Sequence, residues 1–573
     1  MKKILPLVIL IFIAFWGCKN KSNKNKSEII VHLLSDPDKL NPYTSTTADA
    51  SYMERFLFQK LIDWNYEKND FDAVLAVSRP KITPFNNGLK IEYEIKPEAK
   101  WDNGTDVTAY DVAFSYKAVL NPKTSCEHIR PYFKRWIQKI EIDSTNPKKF
   151  TIYSKEKYIL VEEYSGYWVM PEYIYDADKI MRQFTIEQLN DTNSLKTNQD
   201  IVKFAEQFNS QKFMREKGGI VGSGPYEFVE WNTGSSVVFK RKSNWWGRNS
   251  KDTALQNIAS IETLKFKVIN DWSTTTTAIK GGGLDCIHSI EFKSFNELKS
   301  DSKFNENYNA FTPSADQYVY IGINMSNPKL KDIKVRQAMA HSLDKNLIIE
   351  TLLYGLGQPI ESMVHPSKNY YNKNLKSFDY NIEMANKILD EAGWIDKDGD
   401  GVREKIINGR SEALKLEFKY NSGNETRKNI GLIFKENLKK IGIEVNMVSK
   451  EFTIFIDDLK KHDFEVYCGG WVGDPNVEDP TQLWHTESAK GGSNYVNYGD
   501  MESDRLIDQI AKELNPEVRN QLYMKFQEKV HNEIPYIFIY APNERMAFSK
   551  RFTNTKAYTA RPGFDLNAWK LSK

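Results

Sequence analysis

Apolar residues change period repeatedly along this chain, and each change predicts an element. Ile29 to Leu34 reads as a strand, a polar, turn-rich loop runs from Ser35 to Pro42, and Tyr52 to Ile62 carries helical spacing. Leu89, Ile91, Tyr93 and Ile95 alternate as a strand, after which 96–104 turn the chain. Thr108 is placed to N-cap a helix, with Asp111 three residues on, close to a capping box. The buried face of that helix is Ala109, Val112, Ala113, Tyr116, Val119 and Leu120. In the second half strand and helix patterns alternate. Leu414, Leu416, Phe418 and Tyr420 form a strand, and Ile430, Ile433, Phe434, Leu438 and Ile441 share one helix face. Gly442 stops that helix, and Ile443, Val445 and Met447 begin the next strand. A short helix from Phe452 leads to a strand at Phe464, Val466 and Cys468, expected to break at Gly469. Such βαβ order implies a sheet whose loops gather at strand ends, where ligands usually sit.

The loop expected after Cys468, Gly469-Gly470-Trp471-Val472-Gly473-Asp474-Pro475, carries the main candidate chemistry. Its three glycines allow close backbone approach, Trp471 offers a flat apolar face, and Asp474 offers one negative charge. Two readings stand side by side: an anchor for a cationic ligand group, or an ordinary turn with a core tryptophan and a turn-forming Asp-Pro.

The N-terminus changes the compartment. Lys2 and Lys3 precede an apolar run from Ile4 to Trp16 that Pro6 interrupts. It is too short to span a bilayer and reads as a signal peptide over 1–17. Gly17-Cys18 resembles the lipobox of bacterial lipoproteins, which implies lipidation at Cys18 and a membrane anchor. The alternative is a cleaved, soluble secreted protein. Residues 18–27 contain no apolar side chain after the cysteine and are expected to form a flexible tether. No later run approaches the length of a membrane helix. Cys126, Cys286 and Cys468 are odd in number, which argues against a disulfide framework.

At 573 residues the chain exceeds one core and suggests two to four lobes. Its formal net charge of +3 is too small to argue for nucleic acid, and its 13% aromatic content suits a cavity lined with rings. The catalytic inventory is poor: eight histidines are scattered without HExxH or zinc spacing, and no GxSxG elbow or P-loop is present. Gly281-Gly-Gly283 reads as a turn. The expectation is a non-enzyme without metal or cofactor. Asp396-Lys-Asp-Gly-Asp-Gly401 resembles the start of an EF-hand loop, but Ile407 occupies the twelfth position, and although Glu404 could substitute in part, a solvated turn is the preferred reading.

Longer motifs then bring a family into view. Lys100-Trp-Asp-Asn-Gly-Thr-Asp-Val-Thr-Ala-Tyr-Asp-Val-Ala-Phe-Ser-Tyr116 closely resembles the signature of the family 5 extracellular solute-binding proteins, the peptide-binding proteins of bacterial ABC importers. Gly222-Ser-Gly-Pro-Tyr-Glu-Phe-Val-Glu-Trp231 with Asn244-Trp-Trp246, Ile279 to Asp285, Tyr320 to Asn324, Val335-Arg-Gln-Ala338 through Asp344, and Ala385 to Trp394 follow in family order. Most of these residues read as fold markers, with Arg336 expected in an interlobe salt bridge.

The resemblance implies a periplasmic-binding-protein-like α/β fold: two mixed lobes around a ligand cleft, with an additional inserted lobe. Lobe I is expected over 28–62, 222–311 and 545–573, inserted lobe II over 63–221 and lobe III over 312–544, with hinge crossings near Pro313 and Pro542. It also implies a short peptide ligand, an ABC permease and its ATPase as partners, a monomer, and a place in the cell envelope facing the periplasm or exterior. In peptide-binding relatives the aspartate of a Trp-x-x-Asp motif holds the ligand's α-ammonium. Trp471-Val-Gly-Asp474 has that spacing, so Asp474 is the expected anchor, Trp471 packs on the ligand and Gly473 gives backbone access. Leu34 and Ser35 are weaker candidates for main-chain contacts from lobe I. The alternatives are the same fold binding a nickel chelate, haem or sugar, and a peptide-sensing lipoprotein that feeds no transporter.

Overall fold

The computed structural model of the protein describes residues 27–191, 195–250, 252 and 258–572. The signal peptide, Cys18 and all of the tether before Ser27 lie outside the described residues. Three sheets organise the chain. A seven-stranded sheet takes its strands from Glu28–Leu33, Tyr226–Asn232, Ser236–Arg241, Thr263–Val268, Cys286–Ile287, Tyr308–Phe311 and Met546–Ser549. A four-stranded antiparallel sheet uses Lys81–Phe85, Gly88–Glu94, Ile137–Ile142 and Lys149–Ser154, all from one continuous insertion. A six-stranded mixed sheet runs in the order Gly357–Pro359, Tyr536–Pro542, Gln317–Ile323, Val466–Val472, Lys415–Asn421, Glu444–Lys450. These sheets make the two α/β lobes and the inserted lobe of a periplasmic-binding-protein-like fold.

The chain passes between the first and third sheets twice, and the two crossings are tied together. Ala315 N–H donates to Pro542 C=O at 3.0 Å, and Glu544 N–H donates to Pro313 C=O at 2.8 Å. Deep in the first lobe the Asp285 carboxylate accepts from the Ile30 amide at 2.9 Å and pairs with Arg551 at 3.1 Å, sewing the first strand to the C-terminal return. Trp245 and Trp246 both donate their indole N–H to Ser223 C=O, at 2.8 and 3.1 Å, which fixes the turn at Gly222 to Pro225. The inserted lobe packs Ala109–Leu120 against its sheet. The Asp111 carboxylate accepts the Thr108 amide at 2.9 Å, closing the capping box, and the whole expected apolar face is buried.

Three expectations change. The helix expected over Tyr52 to Ile62 runs instead over Ala48–Leu57. Phe58 is extended and Gln59–Lys60 pairs with Trp168–Val169, while Gly224 N–H takes the Leu57 carbonyl at 2.9 Å. A tertiary partner claims the backbone that the helix would have used. The strand expected to break at Gly469 continues through Val472. Gly469 pairs with Tyr320, and a Cβ there would lie 2.8 Å from the Tyr320 hydroxyl, so the glycine makes room for a ring within the sheet. Among the described residues Arg336 makes no interlobe salt bridge. It is buried and donates to the carbonyls of Glu533, Leu330 and Lys331, at 2.9, 2.6 and 2.9 Å, all within the third lobe.

Candidate functional site

In the six-stranded sheet, Lys415–Asn421 runs parallel to both Glu444–Lys450 and Val466–Val472, which lie on opposite sides of it. The chain therefore reverses its direction of winding between the carboxyl ends of Asn421 and Val472. In open α/β sheets such a reversal leaves a crevice beyond the strand ends, where ligands bind. Gly473 and Asp474 follow that strand end directly. The neighbouring strand Gln317–Ile323 is antiparallel, with Gln317 opposite Val472, so Asp316 is delivered to the same place and Gly473 N–H donates to Asp316 C=O at 2.8 Å.

Around this point the structure gathers carboxylates and very little free positive charge. Lys368 Nζ pairs with Asp316 at 2.9 Å and also donates to the carbonyls of Asp474, Pro475 and Asn476. It holds the 473–476 loop in shape and leaves the Asp474 side chain to other partners. Asp474 Oδ1 accepts the Asn476 amide at 2.9 Å; Oδ2 has no hydrogen-bond donor among the described residues. Burial pushes the Asp474 carboxyl above its ordinary range, against the pull of the Asn476 amide and the Lys368 and Lys60 ammoniums. Glu478 lies against the backbone of Gly473 and is pushed up to about 8 by burial and by Asp316. From the inserted lobe, Glu163 reaches across and its Oε2 accepts from Asn476 Nδ2 at 3.1 Å. Lys60 faces the same space but is shared with Asp63 at 3.3 Å and sits over the rings of Tyr167 and Trp168.

Trp471 is the last aromatic of the strand. Its indole stacks on Tyr495 with ring centres 6.0 Å apart and donates weakly to the Tyr536 hydroxyl at 3.4 Å. Trp471, Gly473 and Asp474 are thus brought together at one strand end. Leu34 and Ser35 are exposed at the end of the first strand of the seven-stranded sheet, and among the described residues neither has a hydrogen bond, ion pair or ring contact with the Asp474 cluster. Asp36 beside them is taken up by Trp231 Nε1 and the Gly234 amide, each at 2.7 Å. Sequence reasoning missed Asp316, Lys368, Glu163, Asn476 and Glu478. Only the strand register brings Asp316 in, and only the insertion brings Glu163.

The arrangement can hold a cationic group against buried carboxylate. Among the described residues one group of carboxylates has metal-ligand proximity: Asp396, Asp398 and Glu404, with oxygens within 4.8 Å. Asp396 already accepts the amides of Gly399 and Gly401, and Glu404 accepts the Lys397 amide, so the turn satisfies itself.

Residues 74–494 match the model of the bacterial extracellular solute-binding proteins, family 5. The chain belongs to that family. The oligopeptide-binding protein AppA of Bacillus subtilis is 26% identical to it over all of this chain and 98% of its own length. The solved structure of that AppA in complex with a nonapeptide superposes with a TM-score of 0.73 at 25% identity, covering 95% of this chain and 99% of AppA. The structure of NikZ from Campylobacter jejuni with Ni(L-His) also gives 0.73, at 22% identity, over 95% of this chain and all of NikZ. Heme-binding protein A of Haemophilus influenzae is 22% identical over 96% of this chain and 95% of its own length. One fold therefore serves several ligand chemistries, and the ligand has to be argued from the site.

Proposed function

We propose that this protein is the receptor of an ABC importer, a lipoprotein held at the cell envelope through Cys18 that captures short peptides and hands them to a membrane permease. The lobes close about the paired crossings near Pro313 and Pro542, and the ligand is enclosed between them. Its α-ammonium takes the open oxygen of Asp474, its first residue packs near Trp471, and Gly473 lets its backbone approach. The observation that carries this reading is the unpartnered Asp474 oxygen at the crevice of the third sheet, with the nearest lysine spent on Asp316 and on three carbonyls. A desolvated ammonium needs a carboxylate there, and a charge-assisted bond of this kind contributes about 1.5–3 kcal/mol. A neutral sugar or a haem carboxylate gains nothing from that charge. ATP hydrolysis by a separate subunit supplies the energy for transport.

The test is native mass spectrometry of the chain lacking residues 1–18, as purified and after refolding with a mixed peptide pool. Peptide masses on the wild type that vanish in Asp474→Ala are expected. A metal-chelate, haem or sugar mass indifferent to that substitution would overturn the peptide assignment and leave the family alone standing.

A further inference from the structure

Resting on the peptide-receptor reading, we propose that Glu163 is a specificity-determining residue: facing Asp474 across the cleft, it completes a site for a second positive charge and selects ligands whose first residue is basic. Two features of geometry support this. Asn476 is held by both carboxylates, its amide N–H by Asp474 Oδ1 at 2.9 Å and its side-chain Nδ2 by Glu163 Oε2 at 3.1 Å. Each carboxylate therefore spends one oxygen on the same asparagine, and its other oxygen has no donor among the described residues. Nearby, the hydroxyl of Tyr370, a residue only 2% exposed, has no hydrogen-bond partner among the described residues while facing the charges of Glu478, Asp316 and Asp474.

The charge balance gives the sign. Glu163, Asp316, Asp474 and Glu478 face two ammoniums, Lys368 and Lys60, and Lys60 is shared with Asp63, which Arg55 also holds at 2.7 Å. With all four carboxylates ionised, one ligand ammonium on Asp474 leaves the enclosed site negative; a lysine or arginine side chain beside it supplies the countercharge that lets Glu163 ionise there. The groups facing Glu163 are Asp474 from the third lobe, Lys60 and Asp63 from the chain beside it, and Tyr164 and Tyr167 from its own segment. Burial and Asp474 push the Glu163 carboxyl upward, so without a cationic partner it keeps its proton near neutrality. A basic first residue displaces that proton. Its advantage over a neutral one therefore grows as pH rises from 6 to 8 and levels off once Glu163 is ionised in the empty cleft.

Isothermal titration would use peptides of matched length, identical except for lysine or norleucine at the first position, each free or N-acetylated, with wild type and Glu163→Gln. The lysine peptide is expected to bind the wild type about tenfold tighter at pH 8 and less so at pH 6. In Glu163→Gln that preference and its pH dependence disappear, while acetylation still weakens binding. Equal affinity for the two peptides in wild type, or a lysine preference that survives Glu163→Gln, would overturn the proposal. Indifference to acetylation in both proteins would instead remove the Asp474 anchor, and with it this inference.

Discussion

A Cβ at Gly473 would lie 2.3 Å from Asp316 Oδ1 and 2.8 Å from Glu478 Oε1. Neither carboxylate can yield cheaply, because Asp316 is buried and paired with Lys368, and Lys368 in turn fixes the loop that carries Asp474. Gly473→Ala is therefore expected to cost about 1–3 kcal/mol by overpacking and to weaken peptide binding by about tenfold or more. Titration of the purified variant against wild type checks this, and unaltered affinity would mean that the loop does not set the anchor. The residue scale is also where the sequence was least complete. Trp471 and Asp474 could be named as candidates because they stand together in one short motif, although the rings that hold Trp471, Tyr495 and Tyr536, lie outside it. Lys368 stands in a polar loop with nothing to mark it, and Glu163 is far from Asp474 along the chain. Long-range pairs of this kind leave no local period, so no pattern of spacing could announce them.

At the scale of elements, the helix Ala48–Leu57 carries an acid into the core. Glu54 is 1% exposed, Ser45 donates to one of its oxygens at 3.1 Å, and its other oxygen has no partner among the described residues. Burial pushes its carboxyl from 4.5 up to about 8. The folded chain thus holds a proton that the unfolded chain has already lost, so stability falls as pH rises from about 4.5 and levels off above about 8. The upper limit of that loss is about 5 kcal/mol. Glu54→Gln should remove the slope and raise stability at pH 8 more than at pH 5, as read from urea midpoints at the two pH values. A variant whose midpoint moves equally at both would show that Glu54 is ionised in the fold. Element type and order were largely readable: the capped helix after Thr108, the strand–helix–strand series after Leu414 and the stop at Gly442 all follow local rules, and Gly442 takes the positive φ of 75° expected of a helix stop. Boundaries failed where another segment intervened. Leu57 gives its carbonyl to Gly224, and the Gly469–Gly470 pair, legible as a break, is held in the sheet by Tyr320 and Val319.

For the whole molecule the contacts that would decide the proposed closure are those between the inserted lobe and the third lobe, since on that reading they join parts that separate when the cleft opens. Asp479, its side chain 4% exposed, is held from across the cleft by Arg135 Nη1 at 2.9 Å and by the Tyr158 hydroxyl at 2.9 Å. Arg135 reaches Thr481 as well, at 3.2 Å, and stacks over the Tyr158 ring. Further along, Ile159 N–H meets Ala511 C=O at 2.9 Å and Lys512 pairs with Glu156 at 2.9 Å. The Lys512 pair is exposed and contributes little, whereas the Arg135–Asp479 pair is largely withdrawn from water and cannot be broken in place without stranding a buried carboxylate. On the proposed closure, opening the cleft would let water reach both ends of that pair, so its energy would belong to the closed state. Apparent affinity scales with the fraction of molecules able to close. Arg135→Ala is thus expected to weaken ligand binding about tenfold, through faster release and with little change in the association rate. Stopped-flow binding would separate the two rates, and small-angle scattering of the ligand-saturated variant should show a larger radius than wild type at matched occupancy. A slower association with unchanged release would place the effect of Arg135 on the encounter, and closure would then have to draw its stability from the ligand and the crossings alone.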